Sequence, residues 1–356
     1  MWAEPIYVVA LGASTPVGRE AWSTAAAVRA GVSGFTEHPN VRDADGEPVR
    51  AAIAPWLDIE LVGVERFMAL LCPTIDQTLS NLHDIQSPSV RLAMAVALPE
   101  QHPGLENDLH DRLIDLLRAK YGPALSALAT FPKGHAAGLL AVEAAANRLS
   151  EGRCDACVVA GVDSYIAPQT LEWLERCDQL HGAGPQNNAW GFVPGEGAGA
   201  LLLARRSFVE QRQLPTMLRL VGVGTAFEPK RIKTDTVCIG EGLTQAFRGA
   251  IRTMADDAKI TDVYCDMNGE PYRADEYGFT CLRTKEAFAS PSDFVAPADC
   301  WGDVAAASGP LFACLAAVAT ANRYANGNWT LTWASSEGGD RAAALWEGGD
   351  VSAAGH

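Results

Sequence analysis

Nine cysteines and seven histidines are the side chains of this 356-residue sequence best suited to nucleophilic or metal chemistry, and their spacing decides which chemistry is open. Only Cys154 and Cys157 fall at the interval that redox and zinc sites use, and no second pair of ligands follows at a matching interval. Their setting, CDACVVAGV, is apolar and reads as a buried strand. The remaining cysteines (Cys72, Cys177, Cys238, Cys265, Cys281, Cys300, Cys314) are scattered, mostly among Ala, Val and Leu, so reduced, inert thiols are expected throughout, with no metal and no cofactor. A net charge of −15 argues against nucleic acid and anionic membrane surfaces as partners. The nearest basic groups, Arg205 with Arg206 and Lys230, Arg231 and Lys233, read as solvated loop charges.

The elements that must position any site alternate between strand and helix. IYVVALGA is an apolar run closed by Gly12, and a helical segment from about Arg19 to Arg29 follows it. A helix at Val64 to Leu82, a strand from Val90, a helix at Leu105 to Tyr121 and a strand at Ala124 to Ala129 come next. Then follow the helix His135 to Leu149, the strand Cys154 to Val162 and a helix from Pro168 to Arg176. After Arg205 the order starts again: strand Met217 to Thr225, helix Glu241 to Met254, strand Asp262 to Met267, helices Ala274 to Phe288 and Val304 to Tyr324, and strand Trp329 to Ser335. This alternation predicts a mostly parallel sheet covered on both faces. A shared ANR and a Gly six residues on, at Ala146 and again at Ala321, suggest two equivalent halves at an offset of 175. The halves are placed at residues 1–210 and 211–356. The longest apolar stretch, Leu311 to Ala321, is shorter than the ~20 residues a membrane span needs. The N-terminus has no basic lead before its apolar run, so no signal peptide is read and a cytoplasmic location is expected.

Three strings together resemble the β-ketoacyl synthases of fatty-acid and polyketide assembly: VVALGASTPVGREAWSTAAAVRAGVSGF from Val8, GLLAVEAAANRLSEGRCDACVVAGVDSY from Gly138 with GFVPGEGAGALLLARR from Gly191, and CWGDVAAASGPLFACLAA from Cys300. The resemblance covers nearly the whole chain. It implies an α/β thiolase fold: two pseudo-symmetric βαβαβαββ halves in a five-layered α/β/α/β/α arrangement.

In that family a cysteine nucleophile starts the helix ahead of the CD-type strand. The matching place here is His135, in FPKGHAAGLL. The family's two late histidines fall on Asn268, in CDMNGEPYR, and Asp303, in CWGDVAAASG, and its lysine falls on Ala298. All are replaced. Gly134, Phe192, Cys300 and Trp301 are the expected pocket or substrate-binding neighbours. His135 and Asp303 both precede the first turn of an apolar helix, where the dipole favours an anion and disfavours imidazolium. Asp303 therefore also reads as a plain helix cap, and His135 is expected to be neutral. Glu196, inside an apolar strand, requires a partner.

Three functions stay open on this resemblance. The chain is a ketosynthase-like acyl-binding protein without cysteine-dependent condensation, similar to the chain-length-factor subunits. Alternatively it is an acyltransferase or decarboxylase using His135 with Asn268 and Asp303, or a scaffold whose pocket is closed by Phe131, Phe192 or Trp301. An acyl thioester or acyl carrier protein is the implied ligand, although acidic carriers usually dock on basic surface. A homodimer, or a heterodimer with a true ketosynthase, is implied through the strand Leu125 to Ala129.

Overall fold

The computed structural model describes residues 2–80, 90–184, 187–232 and 234–348. The end of the expected helix at Leu82, and Lys233, lie outside them. In chain order the elements are β1 (Ile6–Ser14), α1 (Ala21–Arg29), β2 (Phe35–Arg42), β3 (Pro48–Ala52), α2 (Gly63–Leu79), β4 (Leu92–Leu98), α3 (Leu109–Tyr121), β5 (Leu125–Pro132), α4 (Ala137–Ser150), β6 (Ala156–Ser164), α5 (Pro168–Arg176) and β7 (Glu196–Arg205). There follow α6 (Arg206–Arg212), β8 (Leu218–Phe227), α7 (Glu241–Ile251), β9 (Asp262–Cys265), α8 (Pro271–Thr284), α9 (Ala298–Trp301), α10 (Ser308–Ala321), β10 (Trp329–Ser335) and β11 (Asp340–Glu347).

The main sheet runs β5-β4-β6-β7-β1-β8-β11-β10-β9. Its two arms mirror each other about β1 and β8, which pair over Ile6 to Val8. In each arm a parallel pair, β4 with β6 or β9 with β10, is followed by an antiparallel partner, β7 or β11. One strand has no counterpart. Where β5 lies beside β4, the second arm offers β9 only single parallel bridges, Tyr264 to Val295 and Ile260 to Phe288.

Side-chain size sets the layers. Along β4, Leu92, Met94, Val96 and Leu98 point to one face, where α2 and α3 pack. Ala93 and Ala95 point to the other face, where α4 and α10 lie. In the second arm Leu331, Trp333, Ala343 and Leu345 face α7 and α8. Ala334, Ala342, Ala344 and Trp346 join the central core. Small residues on the inward faces let α4 and α10 fit between the two arms, which gives the α/β/α/β/α order. This is the expected fold class, but the sheet is not mostly parallel as the alternation predicts. Only β5 with β4, β4 with β6 and β9 with β10 pair in parallel, and the five pairings from β6 across to β10 are antiparallel. The period of 2 that puts alternate residues on opposite faces carries that layering.

Several elements depart from the expectation. The β2 and β3 hairpin, α6, α9 and β11 were not foreseen. The central helices match at an offset of 171 (Ala137 with Ser308, Ser150 with Ala321), one turn away from the 175 that ANR suggested. Arg148 is still helical whereas Asn322 and Arg323 lie past the end of α10, so the shared ANR is coincidence. Among the described residues no helix is long and apolar enough to cross a membrane.

Candidate active site

The string GFVPGEGAG is the scaffold on which the acid is held. Asp303 donates its backbone N–H to the Val193 carbonyl (2.8 Å) and accepts from Gly195 N (2.9 Å). A Cβ at position 195 would lie 2.3 Å from the Trp301 carbonyl oxygen, so only glycine allows this approach. Glu196, next along, is fully buried and is gripped by Arg66 of α2 at 2.6 and 2.7 Å, with Ser164 Oγ at 2.9 Å and Ala54 N at 2.8 Å. The partner its burial demands is therefore present.

His135 stands in one tight helical turn (Gly134–Ala136) between β5 and α4, and Asp303 precedes the matching turn (Ala305–Ala307) before α10. Gly134 has φ +63°, which glycine adopts freely. Across the junction of the two arms, His135 Nε2 lies 2.9 and 3.0 Å from the two carboxylate oxygens of Asp303. Asn268 Nδ2 donates to Asp303 Oδ2 at 2.6 Å. Asp303 Oδ1 also accepts from Ala305 N at 2.8 Å, so the capping role holds alongside the ion pair. Ala305 itself has φ +29°, an unusual value for a residue with a Cβ.

Sequence reasoning missed the shell behind this trio. Arg273 of α8 is fully buried; its Nη1 donates to Asp266 Oδ2 (2.6 Å) and the Ser335 carbonyl (2.9 Å), and its Nη2 reaches 3.1 Å from His135 Nε2. Glu270 joins Asn268 (3.0 Å) to Arg273 (3.4 Å) and to Gln179 (3.1 Å). The signal was faint: PYRADEYG reads as an exposed helix start, and only its closeness to CDMNGE hints at a buried pair.

Burial opposes the charged form of His135, but the charge and hydrogen bond of Asp303, helped by Asp266, override burial and the repulsion from Arg273, and its pKa is raised. Burial likewise works against the Asp303 anion, yet His135 and Arg273 hold its carboxyl well below the usual carboxylate range. Nε2 cannot both donate to Asp303 and accept from Arg273. Two carboxylate oxygens at 2.9 and 3.0 Å, against a guanidinium already bound to Asp266, make Asp303 the partner. The imidazolium form of His135 is thus stabilised relative to a free ring, a shift opposite in direction to the one the helix dipole alone would give. The dipole is weaker than a full charge at hydrogen-bond distance. With Nε2 committed to Asp303, Nδ1 is the nitrogen left for a ligand.

A cavity of about 130 Å³ adjoins the ring, and Gly134, His135 and Phe192 line it. Asn268 and Asp303 stand behind His135, and Cys300 and Trp301 are off the wall in the packed interior. Phe131 does not reach it either, so none of the three suspected plugs closes the space. Among the described residues no cysteine lines it. Burial pushes Cys154 and Cys238 up to about 11 and Cys314 to about 12, and burial and then Asp299 push Cys300 up as well. Such thiols are poor nucleophiles.

Asp163, fully buried on the same wall, has its carboxyl pushed up to about 7 by burial. Away from the cavity, Glu228, Cys238 and Glu276 bring three possible ligand atoms within 4.8 Å of one another. Three of the four carboxylate oxygens already accept from Arg341, Lys230 N and Gly242 N, which accounts for the cluster as an ion pair and helix cap. Of the basic groups, Arg205 binds Asp155, Arg206 pairs with Glu210 at 2.6 Å and Lys230 with Glu241 at 3.4 Å, so neighbouring acids hold them.

Residues 133–208 match the family model of the β-ketoacyl synthase N-terminal domain. No curated protein sequence matches the chain. Solved structures resemble it over almost its whole length. One is an assembly of a type II polyketide synthase acyl-carrier protein with its ketosynthase bound to the hexaketide (AntDE:AntF), with TM-score 0.79, 16% identity, and 98% of this chain and 100% of that one covered. A second is the ishigamide ketosynthase/chain length factor, with TM-score 0.65, 19% identity and coverage of 97% and 99%. A third is the ketosynthase from module 6 of the bacillaene synthase of Bacillus subtilis 168, with TM-score 0.76, 15% identity and coverage of 97% and 72%. The chain therefore has the thiolase-like α/β fold of the ketosynthases.

Proposed function

We propose that this chain is a ketosynthase-like acyl-binding protein of polyketide or fatty-acid type metabolism, in which His135 rather than a cysteine presents the reactive group. One observation carries the reading: His135, paired to Asp303, forms part of the wall of an open cavity that no cysteine lines. In this reading imidazolium Nδ1–H donates to the carbonyl oxygen of a bound thioester, Asp303 orients the ring, and Asn268 fixes Asp303. Above the ring's pKa the same nitrogen serves as base or acyl acceptor. Cysteine-dependent condensation is absent, and the chain divides functionally at residues 1–210 and 211–356, with one member of the pair from each half.

An acyl carrier protein is the proposed donor and a second ketosynthase-fold chain the proposed partner. The unpaired side of β5, half-exposed along its length at the end of the sheet, supports the latter. The test is incubation with malonyl and acyl thioesters followed by intact-mass analysis of wild type and His135→Ala. A mass adduct lost in the variant supports acyl acceptance, and decarboxylation without adduct, also lost, supports proton transfer. Equal behaviour of both proteins, with and without a co-purified chain, would remove His135 from the chemistry.

A further inference from the structure

The walls of the cavity beside His135 are uneven in charge. Glu100, Asp163 and Glu337 all line it, while among the described residues no lysine or arginine does. None of the three has a cationic partner among the ion pairs of the described residues. Asp163 accepts from the backbone of Ser164 (2.9 Å) and Ala306 (3.1 Å), Glu100 from Gly338 N (3.3 Å) and Glu337 from Gln179 Nε2 (2.5 Å). His135, on the same wall, is already paired to Asp303.

Between the carboxyls runs a connected aromatic wall. His102 stacks on Trp173 with centroids 4.9 Å apart and meets Tyr165 at 5.6 Å, and Tyr165 meets Phe192 at 5.7 Å. Aromatic faces beside unpaired carboxylates are what a desolvated ammonium needs: the ring quadrupoles attract its charge and the carboxylates accept its hydrogen bonds. The same walls repel carboxylate ligands. Against the ~10–15 Å³ that one water requires, a cavity of about 130 Å³ admits a short chain.

We propose that this cavity binds a small primary ammonium group, the amino end of a short aminoacyl ligand, held by Glu337 and Glu100 and faced by Tyr165, Trp173 and Phe192. The acyl half of that assignment rests on the function proposed above; the ammonium half does not. Its protons supply a further signature. Burial first of all raises Glu100, which also faces His135, Glu337 and Asp340, and burial raises Asp163, which faces His135 and Asp303. A bound cation draws protons off both, so binding tightens as pH rises.

The experiment is calorimetric titration of the whole chain with n-propylammonium, 1-butanol and butyrate. A pH series, Glu337→Gln and Glu100→Gln accompany it, with folding checked by circular dichroism. The ammonium is expected to bind about ten-fold or more tightly than either isostere, as a charge-assisted hydrogen bond requires. Binding should release protons, and each variant should lose about ten-fold in affinity. Butyrate binding as well as the ammonium, or no change in folded variants, overturns the assignment. A second arm compares 3-aminopropionyl, propionyl and malonyl pantetheine. Reaction of the propionyl thioester without ammonium preference sinks this inference and leaves the function standing. Ammonium binding with no thioester recognised does the reverse.

Discussion

Gly138 and Gly309 touch where α4 crosses α10: a Cβ on Gly309 would lie 3.0 Å from Gly138 Cα, and one on Gly138 would lie 2.4 Å from Pro310 Cδ. His135 precedes the first glycine by three residues and Asp303 the second by six, so this backbone contact sets the separation of the imidazole and the carboxylate. Gly138→Ala is expected to destabilise by roughly 1–3 kcal/mol through overpacking. Gly278→Ala, in the exposed interior of α8 with nothing within 4 Å of the new carbon, should stabilise by roughly 0.5–1 kcal/mol. Urea midpoints of the two variants check the contrast.

Arg66 and Glu196 form a fully enclosed fork. Arg66→Met alone leaves a buried carboxylate without its cation and should cost roughly 3–5 kcal/mol. Combined with Glu196→Leu, much of that loss should return, because the desolvated charge is gone with its partner. A double-mutant cycle in urea measures the coupling, and a double variant less stable than Arg66→Met would contradict it.

Acid–base behaviour follows from the site. Asp163, with a folded pKa of about 7 against 3.8 when free, adds stability below the lower value and loses it as pH rises through the higher. His135, raised above 6.5, acts in the same direction from that value upward. Asp303, held low, acts oppositely and only below 3.8. Stability should therefore fall between about pH 4 and pH 7, and Asp163→Asn should flatten that decline. Asp303→Asn should lower the His135 pKa, read from its ring protons by NMR.

The strand before His135 presents Ala129 to solvent on an unpaired edge. Ala129→Lys puts a charge on each of the two edges that an isologous pairing would bring together, and directly opposes like charges where the pairing is centred on residue 129. A dimeric wild type and a monomeric variant by light scattering are the expected pair of results.

The strands and central helices were legible because long apolar runs alternate with caps and glycines. β11 was not, since DRAAALWE has no β-branched residue and an alanine-rich middle that favours helix as readily, and it belongs to the sheet through pairing with β8 and β10. The β2 and β3 hairpin was hidden by its polar, proline-containing sequence, FTEHPNVR. His135, Asn268 and Asp303 were found through the family resemblance, and they converge. The ionisation of His135 was misjudged because the deciding charge, Asp303, comes to hydrogen-bond distance of the ring only through the fold, whereas the anionic Asp303 was anticipated. The carboxyls of the cavity were invisible for the same reason: Glu100, Asp163 and Glu337 lie far apart along the chain.

The two ends of the nine-stranded sheet are unlike. On the β9 side, residues 287–295 already take up the backbone groups of Ile260, Val263 and Cys265, whereas among the described residues β5 has no such cover. Were a second copy of the chain to dock there, it would present the identical edge and consume it, so growth would stop at a closed pair instead of running on into a filament.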